Sequence, residues 1–304
     1  MRTVEVRPRL LVDCASLAYR AYHSVPALAA ADGTEINATV GFLNFLSRLL
    51  VDRRPSRMWV ALDADWRPAF RVAALPSYKT HRVAEDPNEI DPVGPQIDIA
   101  VEVLDAVGLS TASSDGYEAE DVIATLAKGA PEPVEVVTGD RDLYALVGDP
   151  NVVILYTLRG ATELARVDAA YVAAKYGIPG DRYLDYALLR GDPSDGLPGV
   201  AGIGEKTASQ LLAKYGSLDA ILAATDLSPT IRAKLRASAD YLAAARRVVA
   251  PVSDCPLEAG DGAIPARPIH PDRLAALAER YRLHATVERL LTALPSAAPT
   301  SPRQ

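Results

Sequence analysis

The chain has 304 residues, enough for two compact units, and its 49% hydrophobic and 23% charged residues are ordinary for a globular protein. Its net charge of −7 speaks on average against a nucleic-acid partner, yet nine of the 39 acids fall in four short motifs, and without them the balance turns slightly positive. No apolar run approaches a membrane span, no apolar segment follows the charged N-terminus as a secretory signal requires, and two cysteines, Cys14 and Cys255, are too few for a disulfide framework or a zinc cluster. The expectation is a monomer of the reducing cytoplasm with no membrane partner.

In chain order, the apolar run at residues 10–12 ends at Asp13, and an amphipathic stretch follows at 39–52. The run at 58–62 ends at Asp63. Residues 68–95 then mix basic and aromatic side chains (Phe70, Arg71, Tyr78, Lys79, Arg82) before turning acidic and proline-rich, which predicts an irregular, partly ordered arch. Helical periodicity returns at 96–107 and 119–128, the second opened by Glu118, Glu120 and Asp121. Two further strands are predicted at 134–139, ending at Asp140, and at 152–156. Strands alternating with helices predict a parallel α/β sheet.

From Asp168 onward the pattern is almost wholly helical, at 168–176, 183–190, 206–215, 217–224 and 229–249. A last helix at 271–294 is expected to pack back on the first unit, and the Pro/Ser/Ala-rich tail 295–304 to be disordered. The predicted division is a core of residues 1–167 completed by 262–294, with a smaller helical domain at 168–261.

Ligands of an open parallel sheet bind beyond the carboxyl ends of its strands, where three predicted strands present Asp13, Asp63 and Asp140. Asp142 lies two residues past Asp140 and, in extended chain, points the same way. Glu118 and Asp121 share one face of a helix start. A single strand-end aspartate is ordinarily a cap or turn residue. Three of them beside an acidic helix start would repel and raise each other's pKa unless divalent cations intervene. Hard oxygen donors without His or Cys suit magnesium or manganese.

Residues 192–208 (Asp-Pro-Ser-Asp-Gly-Leu-Pro-Gly-Val-Ala-Gly-Ile-Gly-Glu-Lys-Thr-Ala) carry a second signal. Gly199, Gly202 and Gly204 permit tight turns, and the helix starting near Glu205 aims free N–H groups at a phosphate, with Lys206 and Thr207 adding a charge and a hydroxyl. Glu205 interrupts the Gly-Lys pair of a nucleotide-binding loop and no strand precedes it, which excludes that alternative. A purely structural helix–hairpin–helix stays open. Asp192 and Asp195 either extend the acidic set or cap turns.

Together these residues resemble the 5′-nuclease family: the N-terminal nuclease domain of bacterial DNA polymerase I and its free-standing relatives, the flap endonucleases. The resemblance runs from about Leu10 to Leu291. It is carried by Leu-Val-Asp near the start, Phe70-Arg71 with Tyr78-Lys79 and Arg82, Gly-Tyr-Glu-Ala-Glu-Asp, Thr-Gly-Asp-Arg-Asp-Leu-Tyr and the glycine-rich run. It implies a Rossmann-like, PIN-like core with a helix–three-turn–helix DNA-binding domain, in a stand-alone enzyme without polymerase or proofreading domains. It implies metal-site roles for Asp13, Asp63, Glu118, Glu120, Asp121, Asp140, Asp142, Asp192 and Asp195, holding two or more Mg2+ or Mn2+ ions.

The activity it implies is structure-specific 5′-nuclease cleavage of DNA at a 5′ flap or a 5′ end at a duplex junction, in replication and repair, leaving a 5′-phosphate and a 3′-hydroxyl. A potassium ion on backbone carbonyls near Val200 and Ile203 is implied too. Lys79 and Arg82 would then neutralise phosphate charge, Tyr78 would stack on an unpaired base, and Arg20 and Arg71 would contact phosphates. Glu120, Cys14 and Gly196 stand where the family commonly has Asp, Gly and Asn. A non-catalytic DNA-junction binder and an RNA-cutting relative are the alternatives.

Overall fold

The computed structural model describes residues 6–83, 91–158 and 163–296. Residues 84–90 of the expected arch and 297–304 of the expected tail lie outside the described residues. Among the described residues no helix is long and apolar enough to cross a membrane.

The chain enters through strand β1 (Arg9–Asp13), helices α1 (Cys14–Ser24) and α2 (Asn37–Arg53), and strand β2 (Arg57–Ala61). A short helix α3 (Ala69–Ala74) and a 3-10 turn at Thr80–Arg82 precede α4 (Gly94–Val107), β3 (Ser110–Ser113), α5 (Ala119–Ala127) and β4 (Val134–Thr138). A second 3-10 turn, Asp142–Gly148, leads to β5 (Val152–Thr157) and β6 (Leu164–Val167). The seven-stranded sheet has the order β6-β5-β4-β1-β2-β3-β7, where β7 is Glu258–Ala259. β1 to β5 run parallel, and the antiparallel β6 and β7 close the two edges.

Side chains alternate across a strand, so each central strand feeds two cores. Leu10 and Val12 of β1 join Met58, Val60 and Val137 under α2 and α4, whereas Leu11 joins Trp59, Val136 and Ile154 under α5. All are buried.

The helical part comprises α6 (Ala169–Tyr176), α7 (Tyr183–Arg190), α8 (Glu205–Tyr215), α9 (Leu218–Ala223), α10 (Pro229–Ala237) and α11 (Ala239–Val249), followed past β7 by α12 (Pro271–Arg280) and α13 (His284–Ala293). α12 packs on α4 and α13 on α2.

Two long helices expected from periodicity are each divided. The stretch at 229–249 breaks at Ser238, whose N–H bonds the carbonyls of Lys234 and Leu235. The stretch at 271–294 breaks where Arg282 turns left-handed (φ 54°). There the N–H of Leu283 reaches Ala278 O at 2.8 Å and that of Arg282 reaches Glu279 O at 3.3 Å, the paired bonds of a Schellman ending. The strand β3, Ser-Thr-Ala-Ser, carries no apolar run and escapes a hydrophobicity reading. Part of the expected arch is ordered as α3 and the Thr80–Arg82 turn.

Candidate metal centre and nucleic-acid interface

Register delivers the acids. Asp13 pairs with Ala61 across β1 and β2, and Val12 with Val137 across β1 and β4. The three strands therefore end level, with Asp63 and Asp140 two residues beyond the ends of β2 and β4.

Asp13 both caps α1 and faces the pocket. Its carboxylate accepts from Ser16 N at 3.2 Å and from Thr138 Oγ1 at 2.6 Å. Burial first, then the charge of Asp63, pushes its pKa from 3.8 to about 7. Asp63 accepts from Ala119 N at 2.8 Å, which ties β2 to the start of α5. Its side chain is exposed, and its pKa is raised, by desolvation first. Asp140 accepts from Asp142 N at 3.0 Å and is raised by burial, then by Asp195. Asp142 is buried and pushed well up by desolvation, then by Asp140 and Asp195. Among the described residues Asp13, Asp63, Asp140 and Asp142 form no ion pair.

The acids at the start of α5 behave differently. Among the described residues, Glu118, Glu120 and Asp121 are the group whose oxygens all lie within 4.8 Å of one another. Arg71, fully buried on α3, occupies their centre. It grips Asp121 at 2.9 and 2.7 Å, Glu120 at 2.7 Å and Glu118, and its Nε donates to Val248 O at 2.9 Å. Asp121 accepts further from Val252 N at 2.7 Å, and with Glu118 it forms a capping box on α5. Glu118 also takes the Lys79 ammonium and, at 2.7 Å, the Tyr78 hydroxyl. Burial leads in raising Glu118 and Glu120.

Several expectations change accordingly. Arg71 is no phosphate contact, because every N–H direction is spent on protein. Tyr78 is no base-stacking platform, because its ring is 1% exposed in the core. Asp121 is committed to Arg71 and to backbone. Asp192 accepts from Ser194 N at 3.0 Å and pairs with Arg190 at 3.3 Å, the turn-capping alternative. The nine acids thus do not form one bare pocket. Arg71 and Lys79 already balance an inner group, while Asp13, Asp63, Asp140, Asp142 and Asp195 share the outer one.

Lys79 is nearly buried on Glu118, and Arg82, half exposed, bonds Asp195 at 3.1 Å and Ser194 O at 2.6 Å. Arg20 on α1 donates to Leu158 O at 3.2 Å. Gly199 and Gly202 have φ of 72° and 73°. Gly204 caps α8 without a side-chain acceptor, leaving the first-turn N–H groups beside exposed Lys206 and half-buried Thr207. Lys234 donates to Gly202 O at 2.8 Å, and the Val200 carbonyl accepts from Ile203 N at 2.9 Å.

Hydrophobicity gave no signal for the supporting residues Thr138, Ser16 and Arg67. Ser16 Oγ accepts from Gly139 N at 2.7 Å, and Arg67 holds Tyr78 O at 2.7 Å. Thr138 lies inside the Thr-Gly-Asp motif, and its hydroxyl also accepts from Asp140 N at 2.8 Å; that spacing was its available signal.

Buried carboxyls at the carboxyl edge of a parallel sheet, with cations on one rim and an open helix N-terminus on a neighbouring unit, define a phosphodiester-cutting enzyme. The family models for the 5′-3′ exonuclease N-terminal resolvase-like domain and C-terminal SAM fold match residues 8–177 and 178–272. A 5′-3′ exonuclease of Streptomyces coelicolor is 48% identical over 299 residues, covering 94% of this chain and 99% of that protein. One of Mycobacterium tuberculosis is 44% identical over 310 residues, covering 94% and 98%. The fold is similar to flap endonuclease-1 of Methanococcus jannaschii, with TM-score 0.65, 16% identity, and coverage of 94% of this chain and 92% of that one. The chain belongs to the 5′-3′ exonuclease family and is a nuclease.

Proposed function

We propose that the chain hydrolyses DNA phosphodiesters at a 5′ flap, or at a 5′ end beside a duplex junction, with two or more magnesium or manganese ions. The observation that carries this is the outer acidic group. Desolvation and the charges of neighbouring acids raise the carboxyls of Asp13, Asp63, Asp140 and Asp142. A hard dication relieves such a set, and oxygen-only donors suit it. Asp13, Asp63, Asp140, Asp142 and Asp195 would hold the ions, with Glu120 at the inner edge. When bound, such ions make water a nucleophile at neutral pH and offset charge on the leaving 3′-oxygen.

The chain's own residues do the rest. Lys79 and Arg82 balance charge on the scissile phosphate from the rim. The turn from Gly199 to Gly204, the first-turn N–H groups of α8, Lys206 and Thr207 grip the duplex backbone, so that recognition follows DNA structure rather than base sequence. The products are a 5′-phosphate and a 3′-hydroxyl. The same reading divides the chain into a nuclease core of residues 1–167 with 262–294 and a DNA-gripping unit of 168–261, working as a cytoplasmic monomer in replication and repair. A potassium ion at the hairpin would sit on carbonyls near Val200 and Ile203, beside the Gly202 carbonyl that Lys234 holds.

The test is cleavage of an end-labelled 5′-flap duplex in Mg2+ or Mn2+. Wild type should release the flap, and Asp142→Asn should be slower by at least ~10²-fold, the scale of losing one preorganised electrostatic group. A flap left intact by wild type after hours with metal overturns the proposal. Metal-independent binding without turnover would make the chain a junction binder, and preference for an RNA flap would make it an RNA nuclease.

A further inference from the structure

The burial of Tyr78 leaves the base-stacking role expected of it without a residue, and a different aromatic stands where that role is needed. Trp66 lies three residues past Asp63, at most ~11 Å along the chain from that member of the acidic pocket. Its side chain is 44% exposed. A single exposed apolar residue is ordinary on a protein surface, so exposure alone would say little. What carries weight is how firmly the backbone on either side of Trp66 is held, and what it is held to.

The loop from Asp63 to Pro68 is fastened before and after the tryptophan. Before it, Asp63 accepts from Ala119 N at 2.8 Å and Asp65 N donates to Tyr117 O at 3.2 Å. After it, Arg67 N donates to Asp65 Oδ1 at 2.9 Å, and the Arg67 guanidinium reaches Tyr78 O at 2.7 Å, Pro76 O at 3.1 Å and Thr80 Oγ1 at 3.2 Å. Phe70 of α3 then packs on Tyr117 with ring centroids 5.6 Å apart. The loop thus ties the start of α5 to the turn that carries Lys79 and Arg82, and Trp66 is its exposed midpoint. A side chain on so fixed a backbone loses little freedom when a flat partner lands on it, and an indole offers a broad face on few rotatable bonds. Its neighbours are the groups assigned above to the scissile phosphate, Asp63 on one side and Lys79 and Arg82 on the other. A strand seated on them brings a base within reach of the indole. Every nucleobase has a π-face, which suits a site that follows DNA structure rather than sequence.

We propose that Trp66 is the stacking platform for an unpaired base of the 5′ strand beside the scissile phosphate, a contact that favours single-stranded over paired DNA at the pocket mouth. The proposal rests on the reading of the pocket as a flap-cutting site, and its test reads binding separately from cutting.

The chain has two tryptophans, so the platform can be watched directly. Trp59 is buried, with Nε1 donating to Gly260 O at 2.8 Å, and serves as the constant background. Full-length protein in EDTA and low salt is titrated with a 5′-flap duplex and with the same duplex lacking the flap. Tryptophan emission and the anisotropy of end-labelled DNA are followed in parallel, for wild type, Trp66→Ala and Trp66→Phe. Flap cleavage in Mg2+ then gives kcat and KM.

The flap duplex should quench wild-type emission, and the flapless duplex should quench it much less. Trp66→Ala should bind the flap duplex about tenfold more weakly, the scale of one lost base stack, with less than about a twofold change on the flapless duplex. Its kcat/KM should fall about tenfold through KM. Trp66→Phe, which keeps a smaller π-face, should bind within about threefold of wild type and show no quench. Both variants should melt within about 2 °C of wild type, because the side chain is exposed; a larger drop marks a packing role and overturns the platform. Unquenched wild-type emission on flap binding, or Trp66→Ala binding flaps as wild type does, overturns it too. Trp66→Phe as weak as Trp66→Ala overturns stacking as the cause, and equal quenching by both duplexes overturns the assignment to an unpaired base. Flap-specific quenching in a wild type that cuts no flap removes the underlying reading and leaves the platform standing.

Discussion

Asp13→Asn should stabilise the metal-free protein increasingly as pH rises from about 4, with the full effect reached above about 7. The folded pKa of Asp13 lies near 7 against an ordinary 3.8. The folded state therefore holds this proton more tightly than the unfolded chain, and the stability it confers is complete below pH ~4, falls progressively above it, and is lost once pH has risen through 7. A gap of about three units at ~1.36 kcal/mol each amounts to up to about 4 kcal/mol at pH 8. Asn mimics the protonated acid. One oxygen still accepts from Ser16 N, and the amide faces the Thr138 hydroxyl that now bonds Asp13.

Thermal melts in EDTA at pH 4, 6 and 8 should give coincident curves at pH 4 and a gap widening to roughly 8–16 °C at pH 8, at ~2–4 °C per kcal/mol for a chain of this size. Saturating Mn2+ should shrink the gap, since the charged Asp13 is then compensated in wild type alone. A gap independent of pH, or a variant less stable at pH 8, would refute the argument that burial and Asp63 hold this carboxyl protonated.

Arg71→Met should be the opposite case, losing about 3–5 kcal/mol because three buried acids lose their shared counter-charge; urea titration checks this, and a loss under 1 kcal/mol would contradict the buried network. Lys206→Ala should reduce the slope of log affinity against log salt for a flap duplex by about 1 and leave kcat at saturation unchanged, measured by fluorescence anisotropy and multiple-turnover kinetics. Mn2+ added to the metal-free protein should raise stability by about 2.7 kcal/mol at one hundred times its dissociation constant. Asp142→Asn should lower that gain, and calorimetry reads both.

The parallel sheet was legible because β1, β2, β4 and β5 are continuous apolar runs buried on both faces, a pattern that stands out in a sequence. β3 was not legible, since Ser and Thr there satisfy backbone and packing rather than a hydrophobic stripe. The break at Ser238 was hidden because Leu235 and Leu242 keep one apolar phase across it, whereas at Arg282 the apolar phase shifts from Leu274, Leu277 and Ala278 to Val287 and Leu290, a signal the sequence did offer. In the site, residue type and spacing revealed the acids. They could not reveal which acids would meet a cation from within the chain. Arg71 and Asp121 are 50 positions apart, and only the packing of α3 on α11 and α5 decides that this arginine turns inward. Asp192 shows the same limit: its turn chemistry and its acidity were both visible, and its pairing with Arg190 was not.

The strand β7 is only two residues long, yet it carries the chain back from the helical part and lays Ala259 against Ala112 at the edge of the sheet. The helical part is therefore anchored at both its departure and its return, like a handle riveted at two points rather than a bead on a string. A fragment ending before Glu258 would lose α12 and α13 and would leave β3 with an unpaired border, a template on which other chains can stack. Shortening this protein from its C-terminal side should accordingly convert a discrete particle into a self-associating one well before it reaches any residue of the acidic pocket.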